Sequence, residues 1–200
     1  MKNKSAVILI LVLTFSLILA AQVSGQTKFG PKTEAFLKIL ASGNYHMKAT
    51  MTAGGFKSDM EVYVKNNRIS STVSSQGEST RIVIRDNKTY MIMDSAKMIL
   101  VTAMQDTSQT GAVDSSKMAF TGTGTANFAG KNLPYEEYAE SGDKTQFFVD
   151  GSKLAGMRNI TSGADTVDTV ISVLDQNVPD SVFNIPSTGY QVQDMSNFGF

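Results

Sequence analysis

From Asn44 to Val101, hydrophobic residues return at every second position, and small polar breaks interrupt them at short intervals. Side chains alternate between the two faces of a β-strand, so a period of two specifies a sheet. In Asn44–Ala53, one parity carries Tyr45, Met47, Ala49, Met51 and Ala53, and the other carries His46, Lys48, Thr50 and Thr52. Gly54-Gly55 then supplies the positive φ that a tight hairpin turn requires. The return run places Phe56, Met60, Val62 and Val64 on one face, with Ser58 as the exception, and Lys57, Asp59, Glu61, Tyr63 and Lys65 on the other. Breaks at Asn66-Asn67, Gln76-Gly77, Asp86-Asn87-Lys88 and Asp94-Ser95 separate a Ser/Thr-rich strand (Arg68–Ser75) from runs at Arg81–Arg85, Thr89–Met93 and Lys97–Val101. The last two are nearly continuous in apolar residues, as expected of strands covered on both faces. Strands joined so briefly form an antiparallel meander.

The segment ahead of this block has a different period. Pro31 suits a first helical turn, where its missing N–H costs nothing. Ala35, Phe36, Ile39 and Leu40 then follow at helical spacing up to Ser42, with Leu37 alongside, and Gly43 terminates. A short helix with one apolar stripe has its natural place against the apolar face of the sheet that follows it.

Beyond Val101 the chain becomes polar through Lys117, with Gly111 in the middle, which reads as a loop or one or two weak helical turns. Strand patterns resume with a glycine-weakened run at Ala119–Gly130. They continue through Asn132–Glu140, Lys144–Asp150, Lys153–Ile160 and Asp165–Gln176, where Val167, Thr169, Ile171 and Val173 share a parity. Turns at Ser141-Gly142-Asp143, Gly151-Ser152 and Ser162-Gly163 separate them.

The N-terminus reads as an address. Lys2 and Lys4 precede a charge-free stretch from Ala6 to Ala21, and Val23-Ser24-Gly25 offers small residues for cleavage. This is the three-part pattern of a secretory signal, so residues 1–25 are expected to be removed, 26–193 to form one domain, and 194–200 to be a tail. An uncleaved anchor is the alternative, although the apolar core is short for a span of about 20 residues. Cleavage leaves 16 basic and 18 acidic side chains, a net charge of −2. No basic run or basic amphipathic helix is present, which argues against nucleic acid as a partner. The chain has no cysteine. That excludes disulfides, thiolate metal sites, a cysteine nucleophile and the lipid-bearing cysteine of bacterial lipoproteins. A secreted or periplasmic protein that is not itself a lipoprotein is expected.

The second half carries a recognisable order of motifs. Tyr135-Glu-Glu-Tyr138 leads to a Gly-Asp turn and then to Phe147-Phe-Val-Asp-Gly-Ser-Lys-Leu154. Asn177-Val-Pro-Asp180, Val182-Phe-Asn-Ile-Pro186 and Gly189-Tyr190 follow. With the opening helix and the meander, this resembles the lipoprotein carrier superfamily, which includes the periplasmic lipoprotein chaperone and its outer-membrane receptor. The order of elements corresponds from Pro31 to Gln193, and the motif match is concentrated in Leu133–Leu154 and Asn177–Tyr190. The resemblance implies a mainly β (α+β) fold: a curved, antiparallel, incomplete β-barrel covered by one or more short helices. It also implies an apolar hollow between sheet and helix that receives acyl chains.

The residues themselves allow such a hollow. Met47, Met51, Met60, Met91, Met93, Met98, Met104 and Met118 form a methionine set, and this flexible side chain adapts to irregular partners and to ordinary cores alike. The expected pocket-facing residues are Phe36 and Leu40 on the helix and Met47, Met51, Met60 and Val62 on the sheet. The expected ligand is a lipid, acyl chain or lipidated protein, with possible association with the cell envelope and no cofactor or metal. The alternative is a non-catalytic envelope or surface domain of the same fold with a filled core.

Catalytic readings have little to stand on. His46 is the one histidine and sits on the polar parity, as a solvated strand residue without flanking ligands. Serines are plentiful, but no GxSxG elbow accompanies them. Gly122 and Gly124 lack the remainder of a phosphate loop. Glu136 and Glu137 are adjacent on a strand and point to opposite faces, so they read as solvated edges and not as a carboxylate pair. Asn87-Lys-Thr and Asn159-Ile-Thr match the glycosylation triplet. The terminal Phe198-Gly-Phe200 is a feature shared with outer-membrane barrels, but the strands are short and the aromatics few for that architecture.

Overall fold

The computed structural model describes residues 29–103, 118–163 and 166–195. The expected leader, Met104 and the Phe198-Gly-Phe200 terminus lie outside the described residues. One helix, α1 (Pro31–Ala41), precedes the strands β1 (Asn44–Ala53), β2 (Phe56–Lys65), β3 (Arg68–Ser75), β4 (Glu78–Arg85), β5 (Lys88–Met93) and β6 (Met98–Ala103). The second half contributes β7 (Ala119–Phe128), β8 (Lys131–Glu140), β9 (Asp143–Asp150), β10 (Lys153–Ile160), β11 (Val167–Asp175), a 3-10 turn (Asp180–Phe183) and β12 (Gln191–Asp194).

All strands belong to one sheet, in the order β12-β6-β5-β4-β3-β2-β1-β11-β10-β9-β8-β7. Two antiparallel meanders, β1–β6 and β7–β11, are joined where β11 pairs with β1. Among the described strands, β12 alone lies parallel to its neighbour, β6. The sheet is curved and not closed, as expected of an incomplete barrel. Six of its hairpins are two-residue turns in which both residues have positive φ, among them Asn66-Asn67, Asp86-Asn87, Ala129-Gly130 and Ser141-Gly142. That geometry matches the right-handed twist of the strands they connect. β12 and the 3-10 turn were not marked by periodicity, because both lie in the Pro-interrupted C-terminal stretch.

Register turns the sequence alternation into two distinct faces. Leu174, Met47, Val62, Ser71, Ile82, Met91 and Leu100 stand in one row across β11, β1, β2, β3, β4, β5 and β6. The β1 end of that face is covered by α1. There Phe36 packs with Tyr45, Met47, Ala49, Met60, Val62, Tyr138, Phe147, Met157 and Ile171.

The opposite face of the first meander is covered by the C-terminal segment. Val178 and Phe183 pack with Val83, Ile92, Ile99 and Val101. Basic side chains from the sheet hold that segment in place. Lys65 donates to the Val178 carbonyl at 3.2 Å, Arg85 to the Phe183 carbonyl at 3.1 Å and Arg81 to the Asn184 carbonyl at 3.1 Å. The Arg68 guanidinium lies 4.5 Å from the Phe183 ring centroid and donates to Asp180 at 2.6 Å. A third cluster, Phe128, Leu133 and Phe148, occupies the same side of the second meander.

Two polar residues differ from the sequence expectation. Glu136, expected at a solvated edge, is 7% exposed and accepts hydrogen bonds from the Thr33 backbone N–H at 3.1 Å and the Thr33 hydroxyl at 2.5 Å. The start of α1 has no cap from its own side chains, and a carboxyl from β8 serves instead. Tyr138 accepts a bond from the Gly30 N–H at 2.8 Å. His46, expected to be solvated, is stacked on Tyr63 with centroids 4.3 Å apart. Its Nε2 lies 2.9 Å from Glu61 and its Nδ1 3.5 Å from Asp175. Strand pairing brings these distant carboxyls to a position that looked unflanked in the sequence.

Candidate functional site: a groove between the helix and a fork in the sheet

The site begins with two bulges. On β11, Lys48 faces Val173 and Ala49 faces Ile171, which leaves Ser172 as an extra residue. On β10, Leu154 faces Val149 and Gly156 faces Phe148, which leaves Ala155 extra. Bulges bend a strand and interrupt its ladder. Accordingly, β10 and β11 pair only from Gly156 to Asn159 and from Val167 to Val170. Lys153–Ala155 and Ile171–Leu174 diverge, and the sheet forks between them.

The fork stays anchored at its closed end. Phe128 and Phe148 stack with centroids 4.2 Å apart. Arg158 lies 5.8 and 5.4 Å from the two rings and makes a bidentate pair with Asp168 at 2.6 and 2.8 Å. The hydrogen bonds to Asp168 push the Arg158 pKa upward, against a smaller opposing effect of burial. Gly156 makes the close packing possible, since a Cβ there would come within 2.7 Å of Phe128 Cζ and would also collide with the Thr169 carbonyl.

A groove of about 640 Å³ follows this fork. One wall is α1, which presents Lys32, Ala35, Phe36 and Ile39 at the i, i+3, i+4, i+7 spacing of a single helical stripe. The floor is Leu154, Ala155, Val170, Ile171 and Leu174, and the far wall is Phe128 and Leu133. These residues come from two hydrophobic clusters, the one under α1 and the one around Phe128, so the groove joins the two. The volume lies within the range of about 300–1,000 Å³ typical of small-molecule sites. Lys131, Asp150, Ser152 and Lys153 edge the groove. Lys131 pairs with Asp150 at 2.8 Å, and that hydrogen bond raises the lysine pKa.

Phe36 is both a core residue and part of the groove wall. Met47, Met60 and Val62 are 0%, 5% and 1% exposed and fill the space directly beneath the helix. Leu40 and Met51 are partly buried and pack against the same cluster. Ile39, Leu154, Ile171, Leu174, Phe128 and Leu133 line the groove without having been among the expected pocket-facing residues. The strict alternation read over Asp165–Gln176 sets Leu174 opposite Ile171, and the bulge at Ser172 returns it to the same side.

Among the described residues, the groove offers apolar contacts with charged and hydroxyl side chains along its edge. Among the described residues, no group of three or more His, Cys, Asp or Glu is arranged to hold a metal ion, and no helix is long and apolar enough to cross a membrane.

No family model matches the sequence, and no curated protein matches it. Among solved structures, the chain is similar to an uncharacterized conserved protein from Thermus thermophilus. That match has a TM-score of 0.52 and 8% identity over 81% of this chain and 98% of that one. A chain of the Pseudomonas aeruginosa MucA/MucB complex matches at a TM-score of 0.46 and 11% identity, over 82% of this chain and 64% of that one. A LolA superfamily protein, NE2245 from Nitrosomonas europaea, matches at 0.38 and 8% identity, over 86% and 97%. The Thermus likeness concerns the fold alone.

Proposed function

We propose that this chain is an exported, non-catalytic binding protein that holds an apolar ligand in the groove between α1 and the β10–β11 fork. The ligand class is a lipid, an acyl chain or a lipidated protein, and the compartment is the periplasm or the exterior, reached through the signal at 1–25. The observation that carries this reading is the groove itself: a cavity of about 640 Å³, lined by apolar side chains of two hydrophobic clusters and edged by polar ones. Burial of an alkyl chain needs no polar signature, since each methylene removed from water contributes about 0.8 kcal/mol.

Organic extraction of the purified protein followed by mass spectrometry tests the proposal, together with loading by the neutral dye Nile red. A co-extracted lipid, or saturable dye binding that Ala35→Trp abolishes while the fold is retained, is the expected result. Ala35 is exposed on the groove wall, so the indole would plug the space without disturbing the core. A protein that carries no lipid and takes up no dye would overturn the proposal. The packing of Met47, Met60 and Val62 under the helix favours a second reading, an envelope or surface interaction domain with a filled core, which that outcome would leave standing.

A further inference from the structure

We infer that the groove takes a single-chain anionic amphiphile of the fatty-acid kind, with its tail between α1 and the fork and its carboxylate at Lys32, Lys131 and Lys153. The inference rests on the proposed function and narrows its ligand class. Three separate elements bring a lysine to this one groove: the first turn of α1, the start of β8 and the start of β10. The single acid on the same lining is Asp150, which is engaged by Lys131 at 2.8 Å. Among the described residues, Lys32 and Lys153 have no ion-pair partner. Lys32 is also of the wrong sign for its position, because the first turn of a helix favours negative charge. Its place there does nothing for the helix and puts an ammonium beside Ala35 and Phe36 on an apolar wall. Cations at the edge of an alkyl-sized groove match a molecule that is negative at one end and apolar along its length.

The test measures displacement of Nile red from the full chain by palmitate, by methyl palmitate and by acetate. Palmitate is expected to compete at least about tenfold better than its methyl ester, the weight of one charge-assisted contact, and acetate not at all. Raising salt from about 0.05 to about 0.5 M should weaken palmitate and spare the ester, because screening acts on the charged end. The Lys32→Glu/Lys153→Glu double variant should lose the preference for the acid, read as the ratio of palmitate to methyl palmitate competition on that variant. Equal competition by acid and ester, with no effect of salt, would overturn this inference and leave the proposed function intact. Failure of Nile red to bind at all would remove the groove reading and this one with it. Both substituted lysines are exposed. Should the double variant nonetheless fail to fold, the ester and salt comparisons on the unaltered chain decide the matter.

Discussion

Thr33 in the first turn of α1 donates twice to Glu136 on β8, from its backbone N–H at 3.1 Å and from its hydroxyl at 2.5 Å. The pair is buried and spans 103 positions of sequence. It does the work of an N-cap, satisfying helix donors that would otherwise be stranded away from water. The Tyr138 hydroxyl joins the same carboxyl at 3.3 Å. Burial is the main influence that raises the pKa of Tyr138, in keeping with the enclosed character of this junction. The Glu136 carboxyl therefore helps to set the helix wall of the groove, together with the Tyr138 hydroxyl and the packing of Phe36.

Glu136→Ala should strand the Thr33 donors and cost about 1–3 kcal/mol, the desolvation penalty of a buried unpaired polar group. Urea denaturation measures the loss, and Nile red binding should weaken in step as α1 loosens. Gly30→Ala should act at the same junction, because an added Cβ would come within 2.5 Å of Glu136 Oε2. A Glu136→Ala protein as stable as the parent would show that the bond is incidental.

A substitution at the fork should be more severe. In Gly156→Ala, the new methyl would meet both the Thr169 carbonyl and the Phe128 ring. Overpacking of this kind typically costs about 1–3 kcal/mol. Adding Phe128→Ala should not rescue the variant, because the Thr169 carbonyl belongs to the backbone and cannot swing away. Recovery of the parental Tm in the double variant would refute this account of the glycine.

The cluster on β1, β2 and β11 should make stability depend on pH at both ends of the scale. Burial pushes Glu61 upward, but hydrogen bonds from Tyr63, Lys48 and His46 outweigh it and hold the carboxyl below its ordinary value. A carboxyl depressed in the folded state contributes stability above its unfolded pKa, and that contribution is lost as pH falls through the folded one. Tyr63 is displaced in the opposite sense, pushed up to about 12 by burial and then by Glu61. Its contribution is complete below the usual value of 10 and is lost as pH rises through about 12. Glu61→Gln should flatten the acid limb of a Tm-versus-pH curve, and Tyr63→Phe the alkaline limb. Curves that superimpose on the parent would show that the cluster does not control either limb.

Most of the sheet was legible because its signals are local. A period of two, broken by pairs such as Asn66-Asn67 and Asp86-Asn87, marks both the strands and the turns between them. Phe36 was legible for the same reason, standing at helical spacing just ahead of the apolar strand that it covers. What remained hidden depends on pairing between distant segments. Ser172 is an ordinary serine until β1 is laid beside it, and only then does it become the surplus residue that opens the fork. Glu136 reads as a surface acid until α1 arrives from 103 positions upstream. Gly156, alone inside an apolar run, is the local signal in β10 of a bulge and a close approach. The C-terminal motif matched a family pattern, but nothing in its composition told that it would lie across the back of the first meander.

That C-terminal segment yields the last prediction, because its two kinds of contact should differ greatly in weight. Phe183 is 1% exposed and packs with Val83, Ile92, Ile99 and Val101, with Arg68 over its ring. Asp180 pairs with Arg68 at 2.6 Å and Lys65 at 3.4 Å, and those hydrogen bonds lower its pKa, yet it stands in solvent. Phe183→Ala should cost about 3–5 kcal/mol, as for other large-to-small changes in a core. Asp180→Asn should leave the midpoint close to the parent's, because exposed ion pairs contribute little. Guanidinium denaturation of the two variants ranks them directly. Should the aspartate variant prove the weaker, the segment would be held by its charges, and the aromatic packing behind β4–β6 would be secondary.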